Sequence, residues 1–122
     1  MLRDYNRPGA IGARWVRNQT PSINPALVAI DGVRLVGYGA VRSRIHITQL
    51  FVADEYRGRG LGYRLTMALI DEIRERDAKA GWITLNAAPS AVPAYLRMGF
   101  QASWPRFERD GIVAQPMGIE IA

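Results

Sequence analysis

A chain of 122 residues, 48% hydrophobic and 22% charged, has the size of one domain and the composition of a soluble globular protein. The absence of cysteine excludes disulfides, thiolate metal sites and cysteine nucleophiles; the single histidine, His46, excludes paired-histidine metal motifs; and no G-x-S-x-G elbow suggests a serine hydrolase. The formal charge of +5 rests on arginine, Lys79 being the only lysine, and such a surface suits polyanions, whether nucleic acid or a phosphorylated cofactor.

In chain order, residues 1–25 mix Arg3, Arg7, Arg14 and Arg17 with Pro8, Gly9, Gly12, Pro21 and Pro25, the composition of turns and short irregular pieces. No apolar leader segment stands behind Met1, and no apolar run approaches the ~20 residues that span a bilayer, so a cytoplasmic protein with no membrane partner is expected. Residues 26–30 and 33–41 are β-type runs, and Asp31-Gly32 between them predicts a tight two-residue hairpin. A third strand is predicted from about Arg44 to Ala53, with His46, Thr48, Leu50 and Val52 on one face and Ile47, Gln49 and Phe51 on the other.

From Leu61 the periodicity becomes helical: Leu61, Leu65, Ala68, Leu69 and Ile73 share a face, with Asp71, Glu72, Arg74, Glu75 and Arg76 among the charged remainder. The helix is expected to reach about Lys79, with Gly81 as its stop. A short strand from Trp82 to Ala87 follows, and the β-α-β order makes it parallel to the third strand. Ser90 is the expected N-cap of a second helix reaching Met98, with Pro93 in its first turn and Gly99 ending it. A closing hairpin turns at Asp110-Gly111. There is no internal repeat and no linker, so residues 1–122 are expected to form a single domain.

The stretch that carries chemistry is Leu50 to Tyr63, LFVADEYRGRGLGY. A strand runs into a loop with glycines at 58, 60 and 62 and then directly into a helix. Free N–H groups at a helix start, beside loop N–H groups unobstructed by side chains, form a concavity for anions. Arg57 and Arg59 add planar, fully charged forks that suit phosphate oxygens. A triphosphatase loop would need Gly-Lys-Ser/Thr, and a dinucleotide fingerprint would need glycine at 63 and an acidic residue near 82; Tyr63 and Trp82 stand there instead. What fits is R-x-x-G-x-G, Arg57 to Gly62.

Ile45 to Ile121 resembles the GNAT N-acetyltransferase superfamily. R-x-x-G-x-G after a strand resembles its acyl-CoA motif, and AVPAYLRMGF (residues 91–100) resembles its second signature, A-x-x-x-Y-x-x-x-G-F. The resemblance implies an α/β (α+β) GNAT fold: a mixed, mostly antiparallel sheet with a central β-α-β-α acyl-CoA-binding unit and a C-terminal β-hairpin. It implies transfer of an acetyl group from acetyl-CoA to a primary amine in a ternary complex, without a metal. The main chain of Leu50, Phe51 and Val52 would bond the pantetheine amides. Arg57, Gly58, Arg59, Gly60, Leu61, Gly62 and Tyr63 would hold the pyrophosphate, and Asn86 or Ser90 would replace the asparagine that the signature often opens on, because Ala88 stands at that position. Tyr95 matches the tyrosine placed to protonate the departing thiolate.

The base departs from the better-known patterns. His46 occupies the position of the β4 glutamate of the histone acetyltransferase branch, and Ile83 that of the β5 glutamate of ribosomal-protein acetyltransferases. Histidine, with an unperturbed pKa near 6.5, suits proton removal from an ammonium. The superfamily usually places a strand and two helices before the hairpin, and only about 25 residues stand there here. This implies an open acceptor face or one completed by a second copy in a homodimer. A non-catalytic acyl-CoA sensor and a basic nucleic-acid module are the readings from other classes; the scattered Trp15, Trp82 and Trp104 speak against the last.

Overall fold

A computed structural model describes residues 14–18 and 24–121. Its strands are β1 (Arg14–Arg17), β2 (Ala26–Asp31), β3 (Arg34–Arg42), β4 (His46–Val52), β5 (Trp82–Ala87), β6 (Gln101–Ala102), β7 (Phe107–Arg109) and β8 (Ile112–Glu120), and its helices α1 (Leu61–Arg76) and α2 (Val92–Met98). The sheet runs β1-β2-β3-β4-β5-β8-β6, with β7 paired to β8 alone. Among the described strands only β4 and β5 pair in parallel, as the α1 crossover between them requires.

Three sequence expectations shift at the edges of elements. The first hairpin turns at Gly32-Val33, one residue later than expected, because Asp31 pairs with Arg34 and stays in β2. Gly32 has φ +63°, the conformation that the first position of a type II′ turn demands. Helix α1 ends at Arg76 rather than near Lys79: Asp77 leaves helical geometry, and its carboxylate accepts the Lys79 N–H at 3.1 Å, a local bond that competes with another helical turn. Ser90 is no N-cap; it sits inside a 3₁₀ turn, Pro89–Ala91, and α2 starts without a side-chain cap. Gly99 ends α2 as expected at φ +105°, and the Phe100 N–H returns to the Tyr95 carbonyl at 3.0 Å.

Two strands were not foreseen. Within the stretch read as irregular, Arg14–Arg17 forms β1 along β2 and sinks Trp15 into the core. The two-residue β6 pairs with Gly118 and Met117 of β8. Of the other tryptophans, Trp82 lies over Gly118 at the rim and Trp104 is largely exposed. Residues 1–13 and 19–23 of that stretch lie outside the described residues.

The core lies between α1 and the sheet. Leu61, Leu65, Ala68, Leu69 and Ile73 are all buried, as their spacing predicts. Close approach depends on Gly39 in β3, where a Cβ would stand 2.5 Å from Leu69 Cδ1. Glu72, expected on the charged side of α1, is instead fully buried. Arg17 of β1 at 3.6 Å and Arg76 one helical turn on at 3.5 Å supply its counter-charge. Residue 72 therefore faces β1, and burial of a carboxylate there requires those partners.

Candidate active site

The chemistry gathers where β4 and β5 part. They share only two rungs, His46 with Thr84 and Ile47 with Leu85. At that point β4 carries a bulge: Val41 of β3 pairs with Ile47 and Ala40 with Gln49, leaving Thr48 as an extra residue. Beyond it β4 stays hydrogen-bonded to β3 alone, so the alternate N–H and C=O groups of residues 48–52 that point away from β3 face a gap.

The bulge also corrects the expected facing of the strand. Ile47, Leu50 and Val52 lie opposite Val41, Gly39 and Gly37 on the α1 side, whereas His46, Gln49 and Phe51 lie opposite Arg42, Ala40 and Tyr38 on the other. An inserted residue reverses the alternation. His46 therefore does not share a face with Leu50 and Val52.

The gap holds a cavity of about 270 Å³. Ile47, Thr48 and Leu50 line its β4 side, Leu85 and Asn86 its β5 side, and Tyr95 reaches it from α2. Tyr95 is oriented by the core, its ring edge-on to the buried Phe100 at 5.6 Å. Burial pushes its hydroxyl above the ordinary value, so it carries its proton at neutral pH. Of the residues foreseen as alternatives for bonding a pantetheine, Asn86 lines this cavity; Ser90 is exposed and does not.

His46 sits at the closed end of the gap, its Nδ1 2.7 Å from Thr84 Oγ1. Partial burial, and then the positive charge of Arg42, hold its pKa below the usual 6.5, so the imidazole is neutral at pH 7. Thr84 was not foreseen; its position opposite His46 is a matter of cross-strand register, which no local pattern encodes. Ile83, the alternative position for a carboxylate base, is fully buried in the core.

At the far end of β4, a 3₁₀ turn (Asp54–Tyr56) leads into the glycine loop. The Tyr56 hydroxyl donates to Asp31, and Arg34 pairs with Glu55, so the tip of the β2-β3 hairpin braces this turn. Gly58 and Gly60 have φ +74° and +84°, a region that disfavours other residues, and Cβ atoms at either would meet nothing within 4 Å. The concavity is open, and the N–H groups opening α1 follow it directly; Leu61 contributes backbone only, since its side chain is buried. Tyr63 is exposed on the first turn. Arg57 folds back onto Asp54 at 3.3 Å and the Val52 carbonyl, and Arg59 lies over the Tyr56 ring at 5.7 Å. The free backbone edge of β4 has the chemistry to bond an amide-bearing arm, and the open glycine concavity that to take a diphosphate.

A second cavity, of about 230 Å³, opens beside the first and was not foreseen. Asn86 lines both; its other walls are Phe107, Arg109, Asp110, Ile112 and Ala114 of the β7-β8 hairpin. Among the described residues no group of acidic, histidine or cysteine side chains is arranged to hold a metal ion, and no helix is long and apolar enough to cross a membrane.

A mixed, mostly antiparallel sheet whose two parallel strands part, with a glycine loop leading from one of them into α1, is the GNAT fold expected from the sequence. Residues 12–121 match the acetyltransferase (GNAT) domain, and the chain belongs to that family. It is 39% identical over 72 residues to the streptothricin acetyltransferase of Streptomyces lavendulae, a match spanning 58% of this chain and 38% of that protein. Among solved structures, a GCN5-related N-acetyltransferase from Rhodopseudomonas palustris superposes with a TM-score of 0.71 at 24% identity, over 80% of this chain and 62% of that one. Nourseothricin acetyltransferase gives 0.66 at 27% identity, over 84% and 68%. A Bacillus subtilis acetyltransferase solved in complex with CoA shares the fold at 14% identity and a TM-score of 0.68, over 90% of this chain and 99% of that one. The chain thus spans less than two-thirds of the streptothricin and Rhodopseudomonas proteins.

Proposed function

We propose that this chain is an N-acetyltransferase that moves an acetyl group from acetyl-CoA to a primary amine of a small molecule or protein by direct attack in a ternary complex. The observation that carries this reading is the parting of β4 and β5 after two shared rungs, with Tyr95 in the gap. The free edge of Leu50, Phe51 and Val52 would bond the pantetheine amides as a strand would. Gly58 to Tyr63 would take the pyrophosphate on backbone N–H groups, with Arg57 and Arg59 swinging from their present partners to add charge.

The amine must arrive as an ammonium and react as a free base. Neutral His46 takes that proton at Nε2, in the tautomer whose Nδ1–H donates to Thr84 Oγ1. The amine nitrogen attacks the acetyl carbonyl carbon, and a β4 N–H facing the gap steadies the oxygen as charge develops. As the intermediate collapses, the C–N bond stays and the C–S bond breaks. Tyr95 gives its proton to the departing thiolate and regains one from the nitrogen by way of solvent. The products are the amide, CoA as its thiol, and one proton on His46.

A thermal-shift titration with acetyl-CoA, followed by thiol release with a panel of amines that includes streptothricin and nourseothricin, tests this. Stabilisation by acetyl-CoA with amine-dependent thiol release is expected. No stabilisation would overturn the reading, and stabilisation without release to any amine would favour a non-catalytic acyl-CoA sensor.

A further inference from the structure

The second cavity lies on the same side of the sheet as His46. Cross-strand partners share a face, so the pairs His46–Thr84, Thr84–Gly118 and Asn86–Pro116 put those residues together. Alternation along β8 adds Ala114 and Ile112, and their partners Phe107 and Arg109 complete the set. Asn86, which also lines the gap, stands where the two cavities adjoin. The far end is charged in both senses. Arg109 leans over Phe107, at 5.9 Å from its ring, and Asp110 occupies the hairpin turn. Among the described residues neither charge is taken up by an ion pair, either with the other or elsewhere, although both line one small cavity. Between this end and Asn86 the wall is Phe107, Ile112 and Ala114, which is apolar.

We infer that this cavity is the acceptor site and takes a free α-amino acid whose side chain ends in a primary amine. Arg109 binds its α-carboxylate, Asp110 its α-ammonium, and the methylene stem lies on the apolar wall and delivers the terminal amine past Asn86 to the gap. This rests on the acetyltransferase reading and names its acceptor. Opposite charges held side by side without neutralising one another complement a zwitterion, and a simple amine or a carboxylate alone would leave one of them unused. The length agrees: Pro116, opposite Asn86, and Ile112, opposite Arg109, are four residues apart, about 13 Å of extended strand. An arginine side chain and a four-carbon stem together span that interval. The bonds formed and broken are those of the proposed reaction, with the terminal amine as nucleophile.

The test compares lysine with cadaverine, which lacks the carboxylate, with 6-aminohexanoate, which lacks the α-amino group, and with a peptide-internal lysine, which has neither charge free. Lysine is expected to exceed each in kcat/KM by about tenfold or more, the effect of one charge-assisted hydrogen bond. Arg109→Gln should abolish its advantage over cadaverine and spare cadaverine itself. Asp110→Asn should abolish its advantage over 6-aminohexanoate and spare that compound. Asparagine tolerates the φ of +54° at position 110, so the turn survives. Calorimetric titration of lysine into the CoA-saturated protein reads the site without turnover, and its binding should fall in both variants while stabilisation by acetyl-CoA is unchanged. Equal rates for all four amines, or equal lysine binding in wild type and variants, would overturn the inference and leave the acetyltransferase reading standing. Loss of stabilisation by acetyl-CoA in the wild type would overturn that reading instead.

Discussion

His46 Nδ1 lies 2.7 Å from Thr84 Oγ1, on the first of the two rungs that β4 and β5 share before they part. The ring is thereby held by the strand that borders the gap. Burial and Arg42 lower its pKa, so the folded protein binds the His46 proton less readily than the unfolded chain. This contribution to stability is fully present above pH 6.5 and is lost as pH falls through the lowered folded value. Urea unfolding from pH 7.5 to 5 is expected to show stability declining with acid, and His46→Asn should flatten part of that decline.

In the proposed mechanism the same shift sets the rate profile. A base with a lowered pKa is already deprotonated at neutrality, so kcat/KM should rise with pH through a value below 6.5 and then level off. In His46→Ala that limb should vanish and turnover fall by about a hundredfold. A limb retained at normal turnover would remove His46 from the mechanism, and Thr84→Val, which frees the ring, should lower kcat more than it alters KM for acetyl-CoA.

Tyr95→Phe keeps the ring against Phe100 and removes only the proton donor. Loss of about 10²-fold or more in kcat is expected, with little change in melting temperature or acetyl-CoA affinity. Unchanged turnover would assign Tyr95 to packing alone.

Glu72→Ala leaves Arg17 and Arg76 beside a buried hole with their shared counter-charge gone. Loss of about 3 kcal/mol in denaturant unfolding is expected, the cost of breaking a buried ion pair from one side. Glu72→Gln keeps the shape and should restore only part of it.

Gly118→Ala would bring a Cβ to 2.3 Å from Trp82 Cζ2, so the half-exposed indole must swing aside. A destabilisation of about 1–3 kcal/mol is expected. The double variant with Trp82→Val should be more stable than the sum of the two single effects predicts, and a double-mutant cycle measures the difference.

The parts legible in the sequence are those whose signal is local. The buried stripe of α1, the glycine loop after β4, the stop at Gly99, the closing turn at Asp110-Gly111 and the place of Tyr95 on the second helix are each written within a few consecutive residues. Their physical basis, a 3.6-residue period, a φ available to glycine or a sharp turn, acts over the same short distance. The shift of the first turn to Gly32-Val33 shows the limit of such signals: Asp31 is drawn into β2 by Arg34 across the hairpin and accepts the Tyr56 hydroxyl from another turn.

The sequence by itself therefore determined the family resemblance, the glycine loop between β4 and α1 and the residue types available for proton transfer. Tertiary structure alone decided how they face one another. The bulge at Thr48 sets His46 on the side of the sheet opposite α1, the strand register gives it Thr84, the approach of β1 buries Glu72, and the β7-β8 hairpin brings Arg109 and Asp110 into one cavity with Asn86. Each of these is a pairing between residues distant in the chain, fixed by cross-strand hydrogen bonds and packing. A one-residue change of register reverses every facing at once, and no local periodicity records it.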